Sequence, residues 1–195
     1  MSSFIAHALV GFAVGEQRDT GSRVKERIFI SLFFIFLACS PDIDYLIAYL
    51  RGEGMSMRYT HSIGFVFLVS ILALFFRNFV FRKMLYSIPL SLFFLAPLSH
   101  LTLDFFVGIY PSPYLYPFSS VTFTSPLGVL PSAGRINIHN FYFWRNTLIE
   151  LAIFIPVVVF GVPKFRRYIS KYRAVTLLLI SLFLVGIFIG IGLER

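Results

Sequence analysis

The apolar positions of this chain fall in long, almost unbroken runs, not in the alternating or one-sided patterns of a water-soluble fold. A hydrocarbon core of about 30 Å takes ~20 apolar residues of helix to cross. Runs of that order cover approximately 28–50, 62–81, 84–107, 143–162 and 174–193. A shorter run at 3–15 predicts a tilted, packed or re-entrant helix, because short pieces are tolerated at membrane depth when protein surrounds them. The segment 108–142 is rich in Pro, Ser, Gly and aromatics (YPSPYLYPFSS, SPLGVLPSAGR). Loops of that length are commonly functional, and its aromatic residues suit an ordered cap at the non-cytoplasmic interface. The pattern therefore predicts an all-α, polytopic membrane helical bundle, with about five long spans plus a short N-terminal helix. The whole of 1–195 is expected to form one membrane-embedded domain.

Composition agrees: 57% hydrophobic, 18% aromatic and 13% charged residues lie outside the soluble globular range. The single cysteine, Cys39, permits no intramolecular disulfide, and its place in an apolar run assigns it to packing. The opening segment lacks a basic leader and ends in Gly15-Glu16-Gln17, not in a small-residue cleavage site, so it is expected to stay in the mature chain. The net charge of +8 changes meaning once its distribution is seen. Arg18, Arg23, Lys25 and Arg27 form one cluster, Arg77, Arg82 and Lys83 a second, and Lys164, Arg166, Arg167, Lys171 and Arg173 a third. These occupy alternate loops, which the positive-inside rule places in the cytoplasm. The opposite loops and ends hold only Arg51, Arg58, Arg135, Arg145 and Arg195. No basic stripe is interleaved with stacking groups, so nucleic acid is not an expected partner; membrane lipid is. The chain reads as an integral protein of the inner or plasma membrane.

Against this background the informative residues are the ionisable ones at membrane depth, which are costly there and persist with a partner or a task. Counted from the predicted cytoplasmic helix ends at ~1.5 Å per residue, Asp42 and Asp44 lie about 21 and 24 Å in, His100 about 24, Asp104 about 30, Glu150 about 20 and His61 roughly 24–30. His7 lands at roughly 15 Å, which a tilt of the first helix would correct. Separate spans thus place their acids and histidines in one layer toward the non-cytoplasmic side, with the N and O donors that zinc or manganese takes. The absence of thiolate donors speaks against a closed structural zinc site.

Each piece also has a purely structural reading. His100 and Asp104, four apart, share a helix face and would satisfy each other. Ser40-Pro41-Asp42-Ile43-Asp44 fits a helix break with Ser40 as N-cap, Pro41 at the first helical position and acids in the first turn. Asp42 and Asp44 do not share a face of a regular helix. One is therefore expected to bind a metal, with Asp42 preferred, and the other to orient a ligand or serve a second ion. Thr60 is expected to cap the following span with His61 in its first turn. Gly11, one turn after His7, lets a neighbouring helix approach closely. Asn146 and Glu150 share a face, with Arg145 as a local partner of Glu150; His139 is expected to face solvent or cap a helix. Arg58 is an interfacial anchor or a contact to an anionic substrate.

The order of His7, Pro41-Asp42-Ile43-Asp44, Thr60-His61-Ser62, Ser99-His100-x-x-x-Asp104 and Tyr114-Leu115-Tyr116-Pro117-Phe118 resembles the YdjM-type family of inner-membrane metal-dependent hydrolases, also described as LexA-regulated. At the superfamily level that family is similar to the multinuclear-zinc phospholipases C and single-strand nucleases. The resemblance, from His7 to about Glu150, implies Asp42 or Asp44, His61, His100 and Asp104 as principal metal ligands with Asp104 bridging. It implies His7, Asn146 and Glu150 for a second ion. Members commonly carry His-Arg ahead of Thr-His-Ser where this chain has Ser56 and Met57 followed by Arg58; Val107 stands where a threonine is usual, and Asn146 where the soluble enzymes have a histidine.

The expectation is a membrane-embedded hydrolase with one or two divalent ions, zinc before manganese, acting on a phosphate ester of a lipid or lipid-linked substrate. Its metal ligands are drawn from His7, Asp42, Asp44, His61, His100, Asp104 and Glu150; Glu150 or Asp44 accepts the proton; Arg58 and Asn146 contact substrate. The alternative is a metal-binding transporter or sensor without hydrolytic activity. A transporter would continue its polar residues toward the cytoplasmic face, whereas the inner halves IFISLFFIF, VSILALFF and AIFIPVVVF are apolar.

Overall fold

The computed structural model describes residues 4–17, 23–52, 58–108, 111–125, 128, 130 and 139–193. Arg18, Arg135, Arg195, Ser56 and Met57 lie outside them. The described chain is helical: α1 (Phe4–Gly15), α2 (Val24–Cys39), a 3-10 turn (Ser40–Asp42), α3 (Ile43–Arg51), α4 (Ile63–Phe75) running into a π turn (Phe76–Val80), α5 (Arg82–Leu85), α6 (Leu90–Val107), α7 (Phe141–Gly161), α8 (Pro163–Ile169) and α9 (Arg173–Ile191). Five segments are long and apolar enough to cross a membrane: Val24–Ala48, Ile63–Val80, Leu90–Val107, Phe141–Gly161 and Arg173–Ile191. The short apolar helix α1 accompanies them.

Two boundaries differ from the hydrophobic pattern, for local reasons. The run predicted at 84–107 is split, because Pro89 supplies no N–H and disfavours a helical Ile88; α6 begins only at Leu90, with Pro89 as its N-cap. The first long run is interrupted by the 3-10 turn at Ser40–Asp42, with Pro41 near its start. Ser40 does not cap the next helix as predicted; its hydroxyl donates back to the Leu37 carbonyl at 2.8 Å.

α1 packs against α2, α6 and α7, while α2 and α4 flank α6, and α9 lies on α7. Twelve residues are too few to span, and α1 is instead packed among the longer helices. Its close approach to α2 depends on Gly11: a Cβ there would sit 2.6 Å from the Phe34 carbonyl oxygen and 2.8 Å from the Ala38 Cβ. At the other end of α1, Glu16 pairs with Arg27 at 2.6 Å and accepts from Ser31 at 3.1 Å, tying α1 to the basic start of α2.

One apolar cluster joins α2 and α6 through Ile30, Phe34, Leu37, Phe93 and Ala96; a second joins α1, α6 and α7 through Ala6, Val107, Ile149 and Ile153. The outward faces are also apolar, with Leu32, Phe36, Phe67, Leu68, Ile71 and Phe188 all exposed. Several polar side chains of the helices are instead buried: His7, Asp42, Ser70, His100, Asp104, Asn146 and Glu150. That inverted distribution suits a lipid surround. Pro97 inside α6 frees the Phe93 carbonyl four residues earlier, and the buried Ser70 hydroxyl on α4 donates to it at 3.1 Å. Pro97 lies about one turn before His100.

Candidate metal centre

The 3-10 turn joins α2 to α3, and the acids at its end and on the first turn of α3 meet the two nitrogens of one imidazole. Asp42 Oδ1 is 3.4 Å from His61 Nε2, and Asp44 Oδ2 is 3.4 Å from His61 Nδ1. The two carboxylates, expected on different faces of a regular helix, thus both reach His61. Asp42 is buried and faces inward, while Asp44, on the first turn of α3, keeps 22% of its side chain exposed.

His61 is set by a local arrangement that also differs from expectation. Ser62, not Thr60, caps α4: its backbone is extended and its hydroxyl accepts from the Phe65 N–H at 3.3 Å. Thr60 instead donates to the Pro41 carbonyl at 2.6 Å, fastening the His61 turn to the Asp42 turn. His100 donates from Nδ1 to the Ala38 carbonyl at 2.8 Å, which leaves Nε2 facing the centre. That nitrogen lies 3.1 Å from His61 Nε2 and 3.7 Å from both Asp42 Oδ1 and Asp104 Oδ2. Asp104 Oδ2 is 3.3 Å from His61 Nε2, and Oδ1 is 3.3 Å from His7 Nε2. His7 stacks on His100, with ring centroids 3.6 Å apart. His7, His61 and His100 are buried, as are Asp42 and Asp104.

Three overlapping triads emerge whose donor atoms all lie within 4.8 Å of one another: His7, Asp42 and His100; His61, His100 and Asp104; Asp42, Asp44 and His61. These buried groups could hold a metal ion. Asp42 Oδ2 is fully buried with no hydrogen-bond partner, a costly state for a carboxylate oxygen that a cation relieves.

Arg58 completes the cluster. Its guanidinium, also buried, contacts His61 Nε2, approaches Asp42 Oδ1 at 2.9 Å, and lies 3.6 Å from both Asp44 Oδ2 and Asp104 Oδ2. The sequence placed Arg58 near the site only as a substrate contact or interfacial anchor. Burial pulls the His61 imidazole down, but Asp104, Asp42 and Asp44 outweigh it and push its pKa up to about 10.

Glu150 and Asn146 are buried on α7, whose Ile149 packs in the same cluster as Ala6. Glu150 belongs to none of the triads found among the described residues. Asn146 Oδ1 accepts from Arg145 at 3.1 and 3.2 Å, so Arg145, read as a partner of Glu150, is engaged with its other neighbour. His139 is exposed at the start of α7.

The loop after α6 contributes a residue that the site reading did not include. Its described stretch closes on itself through a Ser112–Phe123 bridge and docks on the start of α4, where Ile63 N–H donates to the Tyr114 carbonyl at 2.8 Å and Gly64 N–H to the Tyr116 carbonyl at 3.0 Å. A Cβ on Gly64 would meet Pro117 Cδ at 2.6 Å. Tyr114 is thereby brought toward the centre; burial, then the Asp104 charge, pushes its phenol up to about 12, so it remains a neutral donor. The Tyr-Leu-Tyr-Pro-Phe motif carried the signal, but spacing alone does not say which tyrosine faces inward.

A family profile described as YdjM inner membrane protein matches residues 1–192. Neither a curated protein nor a solved structure matches the chain.

Proposed function

The chain belongs to the YdjM inner membrane protein family, and we propose that it is a membrane-embedded, zinc-dependent hydrolase of phosphate esters on lipid or lipid-linked substrates, with its site facing the non-cytoplasmic side. One observation carries the reading. His61 Nε2, His100 Nε2, Asp42 Oδ1 and Asp104 Oδ2 surround a common point, with five separations between 3.1 and 3.7 Å. Zinc bonds of 2.0–2.1 Å in a tetrahedron put neighbouring donors about 3.3 Å apart. His100 Nδ1 is held by the Ala38 carbonyl, and His61 Nδ1 lies 3.3 Å from the Thr60 hydroxyl and 3.4 Å from Asp44 Oδ2, outer contacts of the kind metal-binding imidazoles usually make. Manganese fits the same donors less closely, since it favours more oxygen.

A divalent ion, when bound, lowers the pKa of water toward neutrality and polarises a phosphoryl oxygen. The chain supplies the rest. Asp44, partly exposed at the edge of the cluster, orients His61 and accepts the proton. Arg58 and Asn146 position the phosphate, and Tyr114 adds a neutral donor within electrostatic reach of Asp104 and Arg58. His7 against Asp104 Oδ1 is the basis for a second ion bridged by Asp104, with Glu150 offered from α7 as a further ligand or proton acceptor. Lipid suits the setting: the outward faces of the helices are apolar, so an acyl tail stays in the bilayer while its phosphate reaches the cluster.

Protein purified without chelator should carry about one or two zinc ions per chain by elemental analysis. It should release headgroup or phosphate from phosphodiester or phosphomonoester lipids in mixed micelles, and His100→Ala should lose both properties. Zinc- and manganese-loaded protein that cleaves neither ester class defeats the hydrolase reading; absence of bound metal defeats the centre itself.

A further inference from the structure

Arg58 occupies an unusual place for a substrate contact. Its guanidinium reaches three carboxylates and one imidazole at once, and three of the atoms it meets, Asp42 Oδ1, Asp104 Oδ2 and His61 Nε2, are also corners of the tetrahedron described above. A guanidinium and a divalent ion at that point would compete for the same lone pairs in the same volume. The side chain is only 6% exposed, so the contact is not a loose surface pairing. Three carboxylates around one pocket also exceed the single positive charge that a protonated His61 supplies, so the guanidinium helps to hold them inward, because an uncompensated buried charge is strongly destabilising.

Resting on the metal-centre reading, we propose that Arg58 is an internal counter-cation that assembles the centre in the absence of metal and withdraws when an ion enters. The position allows it. Arg58 precedes the His61 turn, outside the membrane-spanning segments, with its own carbonyl accepting from the His61 N–H at 3.0 Å. Its backbone is therefore fixed beside the cluster, and in this proposal the long side chain turns toward the interface about that fixed point. Withdrawn, the guanidinium presents its fork of donors to an anionic group at the mouth of the site. One residue thus serves two mutually exclusive states: guanidinium in without the ion, and guanidinium out, available to phosphate, with it. The competition lowers the apparent affinity for metal by the fraction of chains whose guanidinium is withdrawn.

The test is a zinc titration of stripped, detergent-purified full-length chain against a chromophoric chelator, with melting temperatures recorded with and without zinc. Arg58→Gln should bind zinc about ten-fold more tightly than the wild type, since the competitor is gone, and its zinc-free form should melt lower than zinc-free wild type. Arg58→Lys places a compact ammonium that does not span three carboxylates, and should fall between the two in both measurements. Either variant binding zinc no more tightly than wild type, with its zinc-loaded form still folded, overturns the proposal. His100→Ala separates the two ideas. If it loses zinc while Arg58→Gln and wild type bind equally, the metal centre stands and only the competition is wrong; if wild type and both Arg58 variants bind no zinc, the metal-centre reading fails and takes this one with it.

Discussion

At the scale of single residues, the centre is decided by which nitrogen of each histidine is held and which is offered. The Ala38 carbonyl holds His100 Nδ1, while His61 Nδ1 meets the Thr60 hydroxyl at 3.3 Å and the Asp44 carboxylate at 3.4 Å. Removing such an outer partner typically lowers metal affinity ~10–100-fold without removing a ligand. Asp44→Asn keeps the shape and loses the charge, so chelator competition should read a zinc affinity lower by that order, while stoichiometry per chain is unchanged. Loss of stoichiometry would instead make Asp44 a direct ligand. That His7, Asp42, Asp44, His61, His100 and Asp104 would meet was legible in the sequence from their common depth; which ring nitrogen of each histidine is held was not. What spacing did not reveal was the position of Arg58 among the ligands, because a long side chain in a connecting segment has no register to argue from.

Among elements, the informative departures are places where a short irregular turn overrides periodicity. Asp42 and Asp44 were expected on different faces of a helix, and a 3-10 turn at Ser40–Asp42 brings both to His61. Thr60 was expected to cap α4, but Ser62 takes that role and Thr60 fastens one turn to the other. Capping residues next to one another in sequence compete, and only tertiary contact settles which one wins. The α1–α2 contact was readable because a glycine one turn from a buried histidine has a single plain use. Gly11→Ala would drive a methyl into the Phe34 carbonyl and the Ala38 side chain. Overpacking of that kind costs about 1–3 kcal/mol. Since Ala38 also holds His100 through its carbonyl, the variant should both melt lower and bind zinc more weakly. A melting temperature at the wild-type value would mean that α1 is not clamped on α2 as described.

For the whole molecule, the helices place charge at one end and chemistry at the other. Arg27 holds Glu16 at the foot of α1, and Arg77 lies at the far end of α4 from His61. The centre gathers where α2 ends, α4 begins and α6 nears its last turn. By the positive-inside rule the basic clusters are expected in the cytoplasm, and the proposed site, with the loop docked on α4, should then face away from it. Two exposed positions test this directly: Ser120 in that loop and Arg82 between α4 and α6. With Cys39→Ala as background, a membrane-impermeant maleimide applied to intact spheroplasts should label Ser120→Cys and leave Arg82→Cys unlabelled until the membrane is opened. The reverse pattern would put the centre at the cytoplasmic face. A hydrolase there would draw its phosphate esters from the inner leaflet, and the lipid-linked substrates of the outer surface would lie beyond its reach.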